Sequence, residues 1–196
     1  MQALFFAVSA LCLLSAPASA VTLIDRGNGE AELRGAFDGG DEEVFKQFLA
    51  QPRARKIHVL WLHSHGGRTS AGTGIGKLVR RAGLTTAVDA QGAYCDSACT
   101  LVFVAGVRRH YVNGNGVLEG DASLTGLGFR GSFLRGNAIN PAMRSDKGTQ
   151  EMANHYRAMG VSGAIELMRK AAISTLYRPN GITAMRLRIA TSLAAP

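Results

Sequence analysis

The sequence predicts one α/β domain, and three features predict it. Apolar strand-length runs alternate with helical apolar spacing, the chain after residue 20 is long enough for one buried core, and glycine pairs mark the turns between elements. The predicted order at its centre is strand, Gly-Gly loop, helix, strand, serine turn, buried helix.

The serine turn organises the rest. Gly92-Ala93-Tyr94-Cys95-Asp96-Ser97-Ala98-Cys99-Thr100 runs into the apolar stretch Leu101 to Ala105 and ends at Gly106. That stretch is too apolar for a surface helix, so Ser97 would stand at the mouth of a buried one. Unpaired N–H groups and the helix dipole there favour a developing oxyanion. Ser97 is therefore either a nucleophile or a plain helix N-cap.

Upstream, Val59-Leu60-Trp61-Leu62 reads as a strand stopping at His63-Ser64-His65-Gly66-Gly67, where glycines let backbone amides approach a ligand. A helix follows, with Ile75, Leu78 and Val79 on one side, closing at Arg80-Arg81-Ala82-Gly83. Leu84 to Val88 is then a strand that delivers the chain to the serine turn.

With these pieces in place, the sequence resembles the ClpP/crotonase superfold, and in particular small exported bacterial proteins similar to the Clp protease proteolytic subunit. The resemblance rests on Ser64-His65-Gly66-Gly67, on Arg80-Arg81-Ala82-Gly83-Leu84-Thr85-Thr86, on Cys95-Asp96-Ser97-Ala98-Cys99-Thr100 and on Ala105-Gly106. It covers Ile57 to Phe129 well and the C-terminal helices loosely. It implies a stacked ββα-unit sheet with surrounding helices, Ser97 as nucleophile, and the Gly67 and Ala98 amides as oxyanion donors with Gly66 enabling the loop.

At the N-terminus, Met1 to Ala20 has an apolar centre from Leu4 to Leu14 and ends in Ala18-Ser19-Ala20. This is the pattern of an export signal, and the apolar run is too short for a membrane anchor. No Lys or Arg precedes the apolar run, so only the terminal amine supplies positive charge. Cleavage after Ala20 would leave residues 21–196 periplasmic or secreted, with no membrane anchor.

The net charge of +8 belongs wholly to residues 21–196. Its cationic residues are scattered, with no dense basic run and little aromatic interleaving, which argues against nucleic-acid binding. A solvated basic surface is the reading that fits. Cys12 leaves with the signal. Cys95 and Cys99 remain, flanking Ser97, with Cα atoms expected about 6 Å apart and thus within disulfide range.

Leu23-Ile24-Asp25 and Ala31 to Gly35 read as a hairpin turning at Asn28-Gly29. Val44, Phe45, Phe48 and Leu49 mark the core face of a short helix opened by Asp41-Glu42-Glu43 and ended before Pro52. Beyond the buried helix, Arg109 to Val112 is a strand, Asn113 to Gly116 a turn, and Leu127-Gly128-Phe129-Arg130 the end of another strand. Met152, Tyr156 and Met159 share a helical face. Ser162 is placed as the cap of a helix burying Ile165 and Met168.

The resemblance asks for a histidine base where Arg130 stands, and a guanidinium cannot take the serine's proton. It asks for an orienting Asp near Ser174 to Tyr177, yet no carboxylate follows Glu166. Turnover is therefore expected to be weak or absent unless another base serves. His63 and His65, straddling the Gly-Gly loop, are the alternative bases; the other reading makes His63 a strand-end filler and His65 a surface residue in place of the family's Pro. His155 reads as a packing or surface residue, and His58 and His110 carry no site signal.

Cys95, Cys99, His63 and His65 also form a Cys2His2 set suited to structural zinc, although oxidation of the cysteines forbids it and the spacing is loose. No metal, coenzyme A or other cofactor is expected. Two function classes stay open: a serine peptidase with an unorthodox base, and a pseudoenzyme that binds a peptide or protein partner in the same cleft. Relatives of the fold tend to oligomerise, and an exported protein has no ATP for a Clp-like unfoldase.

Overall fold

The computed structural model describes residues 21–196 apart from 121, 135–142 and 173. The expected signal peptide at residues 1–20 lies outside the described residues. The described residues open with β1 (Val21–Gly27) and β2 (Glu30–Gly35), an antiparallel pair. Its two-residue turn needs positive φ at both positions, and Asn28 at 53° and Gly29 at 80° supply it. Helix α1 (Asp41–Ala50) buries Phe45 and Phe48, and its first turn carries three acidic residues against the helix dipole.

Strand β3 (Val59–His63) lies parallel to β2, with Leu62 opposite Leu33 and Leu60 opposite Ala31. Helix α2 (Thr69–Arg81) crosses over to β4 (Thr85–Asp89), and β6 (Arg109–Val112) adds a further parallel strand. The sheet order is β1-β2-β3-β4-β6. Its middle strands are covered on both faces, so β4 reads TTAV with all four residues buried.

Helix α2 carries glycine at 72, 74 and 76, residues that ordinarily weaken a helix by about 1 kcal/mol each. The packing explains two of them. A Cβ on Gly72 would stand 2.5 Å from the Ala98 carbonyl oxygen, and one on Gly76 would stand 2.8 Å from that of Leu101. The smooth face of α2 thus lets the segment after Ser97 lie directly on it.

That segment differs from the sequence expectation in two ways. The supposed turn contains a strand, β5 (Tyr94–Asp96), paired with β7 (Gly126–Gly128) in a second, two-stranded parallel sheet. The buried helix α3 is short, Cys99–Phe103, with all five residues buried. A small antiparallel pair, β8 (Phe133–Leu134) and β9 (Met143–Arg144), leads into α4 (Asp146–Ala158), α5 (Gly163–Lys170) and α6 (Gly181–Arg186). Met152 and Tyr156 of α4 face the core, as do Ile165 and Met168 of α5. Ser162 occupies the α5 N-cap position, but its side chain makes no capping bond; the side chains that cap are Ser145 on α4 and Asn180 on α6. Past α5 the chain returns to the serine side, where Phe129 and Tyr177 exchange backbone hydrogen bonds.

Candidate functional site

The site is built where the extension of β3 meets β5. The Ser64 amide donates to the Tyr94 carbonyl, and the Asp96 amide donates to the Ser64 carbonyl, each at 2.9 Å. Gly66 has φ of 78° and Gly67 φ of 144°, both in territory that favours glycine. A Cβ on Gly66 would sit 2.3 Å from the Asp96 carbonyl oxygen and 2.7 Å from the Ala98 nitrogen. The glycine corner and the serine turn are therefore in direct contact.

Ser97 joins β5 to α3 in the left-handed region, with φ of 51°. A serine held there is strained, and the surrounding bonds hold it. Its amide donates to the Gly128 carbonyl at 2.7 Å, and its carbonyl accepts from the Thr100 amide at 3.0 Å and the Thr100 hydroxyl at 2.6 Å. Because the single Thr100 proton goes to Ser97, the Tyr156 hydroxyl, 2.6 Å away, donates to Thr100. Burial pushes the Tyr156 phenol far above its ordinary value, so that donor keeps its proton. The Cys95–Cys99 disulfide brackets the same turn, with Cα atoms 5.1 Å apart.

Ser97 is not a capping residue. Ala98 takes the N-cap position of α3 and no side chain caps it. The residue is 6% exposed. Its hydroxyl bonds to no described residue, yet it is not among the fully enclosed polar atoms. The Gly67 and Ala98 amides likewise donate to no other described residue.

Of the two histidines beside the corner, His65 lies against the serine turn. Its Nδ1 is 3.0 Å from Asp96 Oδ2, and its ring stacks on Tyr94 with centroids 3.7 Å apart. The side chain is 68% exposed, while that of Asp96 is 3% exposed. His63 turns toward Glu32 instead, with Nδ1 3.8 Å from Glu32 Oε1, and meets Tyr94 edge-on at 4.3 Å. Partial burial holds the His63 imidazole below its ordinary pKa, with the charges of Arg34 and His65 adding and Glu32 opposing. Neither histidine bonds to Ser97 among the described residues.

Sequence reading missed the other side of Asp96. Oδ1 accepts from Arg178 Nη1 at 2.7 Å, with both side chains almost fully buried. The C-terminal segment, where the resemblance asks for a carboxylate, thus contributes a cation. The available signal was Asp96 itself, a carboxylate directly before the candidate nucleophile. Arg130 stands two residues beyond Gly128 with its guanidinium 4.3 Å over the Phe133 ring.

The zinc arrangement is excluded by the disulfide, which takes both sulfurs. His155 is buried, with Nε2 3.0 Å from the Leu101 carbonyl oxygen, while His58 and His110 contact backbone carbonyls elsewhere. A cavity of about 260 Å³ lies beside His65, walled by Tyr94, His63, Ser64, Ala36 and Arg34. The larger cavity, about 620 Å³, lies by Asn113 to Gly116 and is lined by no titratable side chain. No helix among the described residues is long and apolar enough to cross a membrane.

No family model and no curated protein matches the chain. Among solved structures it is similar to a serine-to-alanine variant of the 1510-N membrane-bound stomatin-specific protease, at 14% identity and a TM-score of 0.61, covering 83% of this chain and 77% of that one. A lysine-to-alanine variant of that protease in complex with a substrate peptide matches at 14% identity and a TM-score of 0.59, covering 83% and 73%. A probable enoyl-CoA hydratase/isomerase from Mycobacterium abscessus matches at 12% identity and a TM-score of 0.52, covering 90% and 69%. The likeness is one of fold: the chain has the ClpP/crotonase-like fold.

Proposed function

We propose that this chain is an exported serine hydrolase of the ClpP type that acts on peptides with low turnover. The observation that carries the reading is Ser97, held at φ of 51° between β5 and α3 with a hydroxyl that bonds to no described residue, while the backbone of its neighbours Asp96 and Ala98 packs on Gly66. Backbone strain stored at a small polar residue on a strand-to-helix junction is a mark of a functional position.

Ser97 Oγ attacks the substrate carbonyl carbon and His65 Nε2 takes its proton. The carbonyl oxygen becomes an oxyanion held by the Gly67 and Ala98 N–H groups. Collapse expels the amine, which takes the proton from His65, and a water molecule hydrolyses the acyl-enzyme in the same way. Asp96 orients His65 through Nδ1. The His65 to Ser97 bond has to form when substrate binds, and this reorganisation accounts for low turnover.

Two supports concern setting and substrate. The disulfide fits an oxidising compartment, as the apolar signal-like stretch at residues 1–20 requires. Peptide as substrate is supported by the peptide complex of the protease with the same fold. Self-association is expected of the fold; no ATP-driven partner, nucleic acid or cofactor enters the reading.

A second reading, a pseudoenzyme that binds a peptide or protein partner, is favoured by Arg130 at the strand end where the resemblance asks for a base. The two separate on incubation of the purified chain with a mixture of unstructured peptides, followed by mass spectrometry. Cleavage by the wild type and its loss in Ser97→Ala supports the hydrolase. Peptide retention without cleavage supports the pseudoenzyme.

A further inference from the structure

We propose that Arg178 is a positioning residue for His65, acting through Asp96 to fix which imidazole nitrogen carries the proton. The proposal rests on the reading of His65 as base. It starts from a carboxylate buried between two donors: Asp96 Oδ1 accepts from Arg178 Nη1 at 2.7 Å, and Oδ2 faces His65 Nδ1 at 3.0 Å.

Arg178 is itself anchored by the backbone. Its Nε donates to the Ser123 carbonyl at 2.7 Å and Nη1 also reaches the Gly126 carbonyl at 3.1 Å. Glycine at 128 makes room for the pair, since a Cβ there would stand 2.4 Å from Asp96 Oδ1 and 2.9 Å from Arg178 Nη1. The guanidinium is thus a fixed cation that holds the carboxylate in one orientation.

His65 has little else to orient it. Most of its side chain is in solvent and its other contact is the stack on Tyr94. A carboxylate salt-bridged to Arg178 only accepts, so Nδ1 must be the protonated nitrogen and Nε2 keeps its lone pair. That is the tautomer a base for Ser97 requires, and the reverse tautomer would present an N–H to the hydroxyl. Without Arg178, Asp96 is a buried carboxylate with no cation to fix its orientation; it turns away, and His65 loses its preference. Lysine would keep the charge while giving up the Ser123 contact, so it restores the effect in part.

The test reads His65 directly. In uniformly ¹⁵N-labelled protein at about pH 8, above the ordinary histidine pKa, side-chain nitrogen shifts assign the neutral tautomer. The wild type is expected to show His65 protonated on Nδ1; Arg178→Gln shifts it toward the mixture of a free imidazole, and Arg178→Lys returns it most of the way. Peptide cleavage should fall about tenfold or more in kcat in Arg178→Gln, with KM little changed.

Protonation of wild-type His65 on Nε2, or an unchanged tautomer in folded Arg178→Gln, overturns the proposal. If Arg178→Gln does not fold, the wild type and Arg178→Lys decide: a lysine variant no closer to free imidazole than the wild type overturns it, and a partial shift supports it. The tautomer is measured whether or not Ser97 reacts. An inert Ser97 beside a locked His65 sinks the hydrolase reading and leaves this one standing.

Discussion

His65 and Asp96 face each other across the join between the glycine corner and β5, with Nδ1 and Oδ2 3.0 Å apart and the carboxylate buried while the imidazole is mostly in solvent. The asymmetry separates their roles. His65→Ala should leave the urea midpoint within experimental scatter of the wild type, because little surface is buried, yet slow Ser97 acylation about 100-fold. Asp96→Ala should lose about 3 kcal/mol, because it leaves Arg178 buried without its anion. Equilibrium unfolding and acylation rates of both variants check this.

Gly66→Ala tests the contact between the corner and the serine turn. The new methyl meets the Asp96 carbonyl oxygen and the Ala98 nitrogen, both backbone atoms that cannot rotate aside, at a φ that disfavours alanine. A loss of about 2–3 kcal/mol is expected. Gly83→Ala has the same handicap of positive φ but open space around it, and should lose less. Urea unfolding of the two variants side by side gives the comparison.

Joining Cys95 to Cys99 closes a very short loop, so its chain-entropy contribution is about 2 kcal/mol at most. The double variant Cys95→Ser, Cys99→Ser should melt roughly 4–8 °C lower and remain folded. Its larger effect should fall on the serine, measured as a slower acylation of Ser97. Mass measurement after alkylation of the wild type should find both cysteines protected.

Burial holds the His155 imidazole below its ordinary pKa, with Lys77 and Arg80 adding and the Leu101 carbonyl opposing. A histidine depressed in the folded state binds its proton more readily when unfolded. Its stabilisation is therefore complete above about pH 6.5 and is lost as the pH falls through the folded value. Between pH 7 and 5 the wild-type urea midpoint should drop more steeply than that of His155→Gln. His63 is shifted in the same direction, so His63→Gln should flatten the profile further.

Much of this was legible because local chemistry carried it. Asn28-Gly29 permits the tight turn of the first hairpin, and Asp41-Glu42-Glu43 suits the start of α1. The parallel strands read as apolar runs, and Gly66-Gly67 and Ser97 were placed together by a pattern spanning both. The pairing of Cys95 with Cys99 was within reach of spacing alone. What was not legible depends on distant partners. Strand β5 is three residues long and exists because β7 pairs with it about thirty residues later. Arg178 reaches Asp96 across 82 positions, and no local pattern announces a buried ion pair of that separation. The sequence leaves Ser97 open between nucleophile and helix N-cap, and serine rarely takes positive φ; only the combined hold of Gly128, Thr100 and the disulfide fixes it there.

The central claim is that Ser97 is a working nucleophile, and its reaction with a serine-directed fluorophosphonate probe tests that most directly. The account predicts a single adduct mapped to Ser97 in the folded wild type, slower formation in His65→Ala, and none in Ser97→Ala. A folded wild type that stays unlabelled at high probe concentration and long incubation would contradict it.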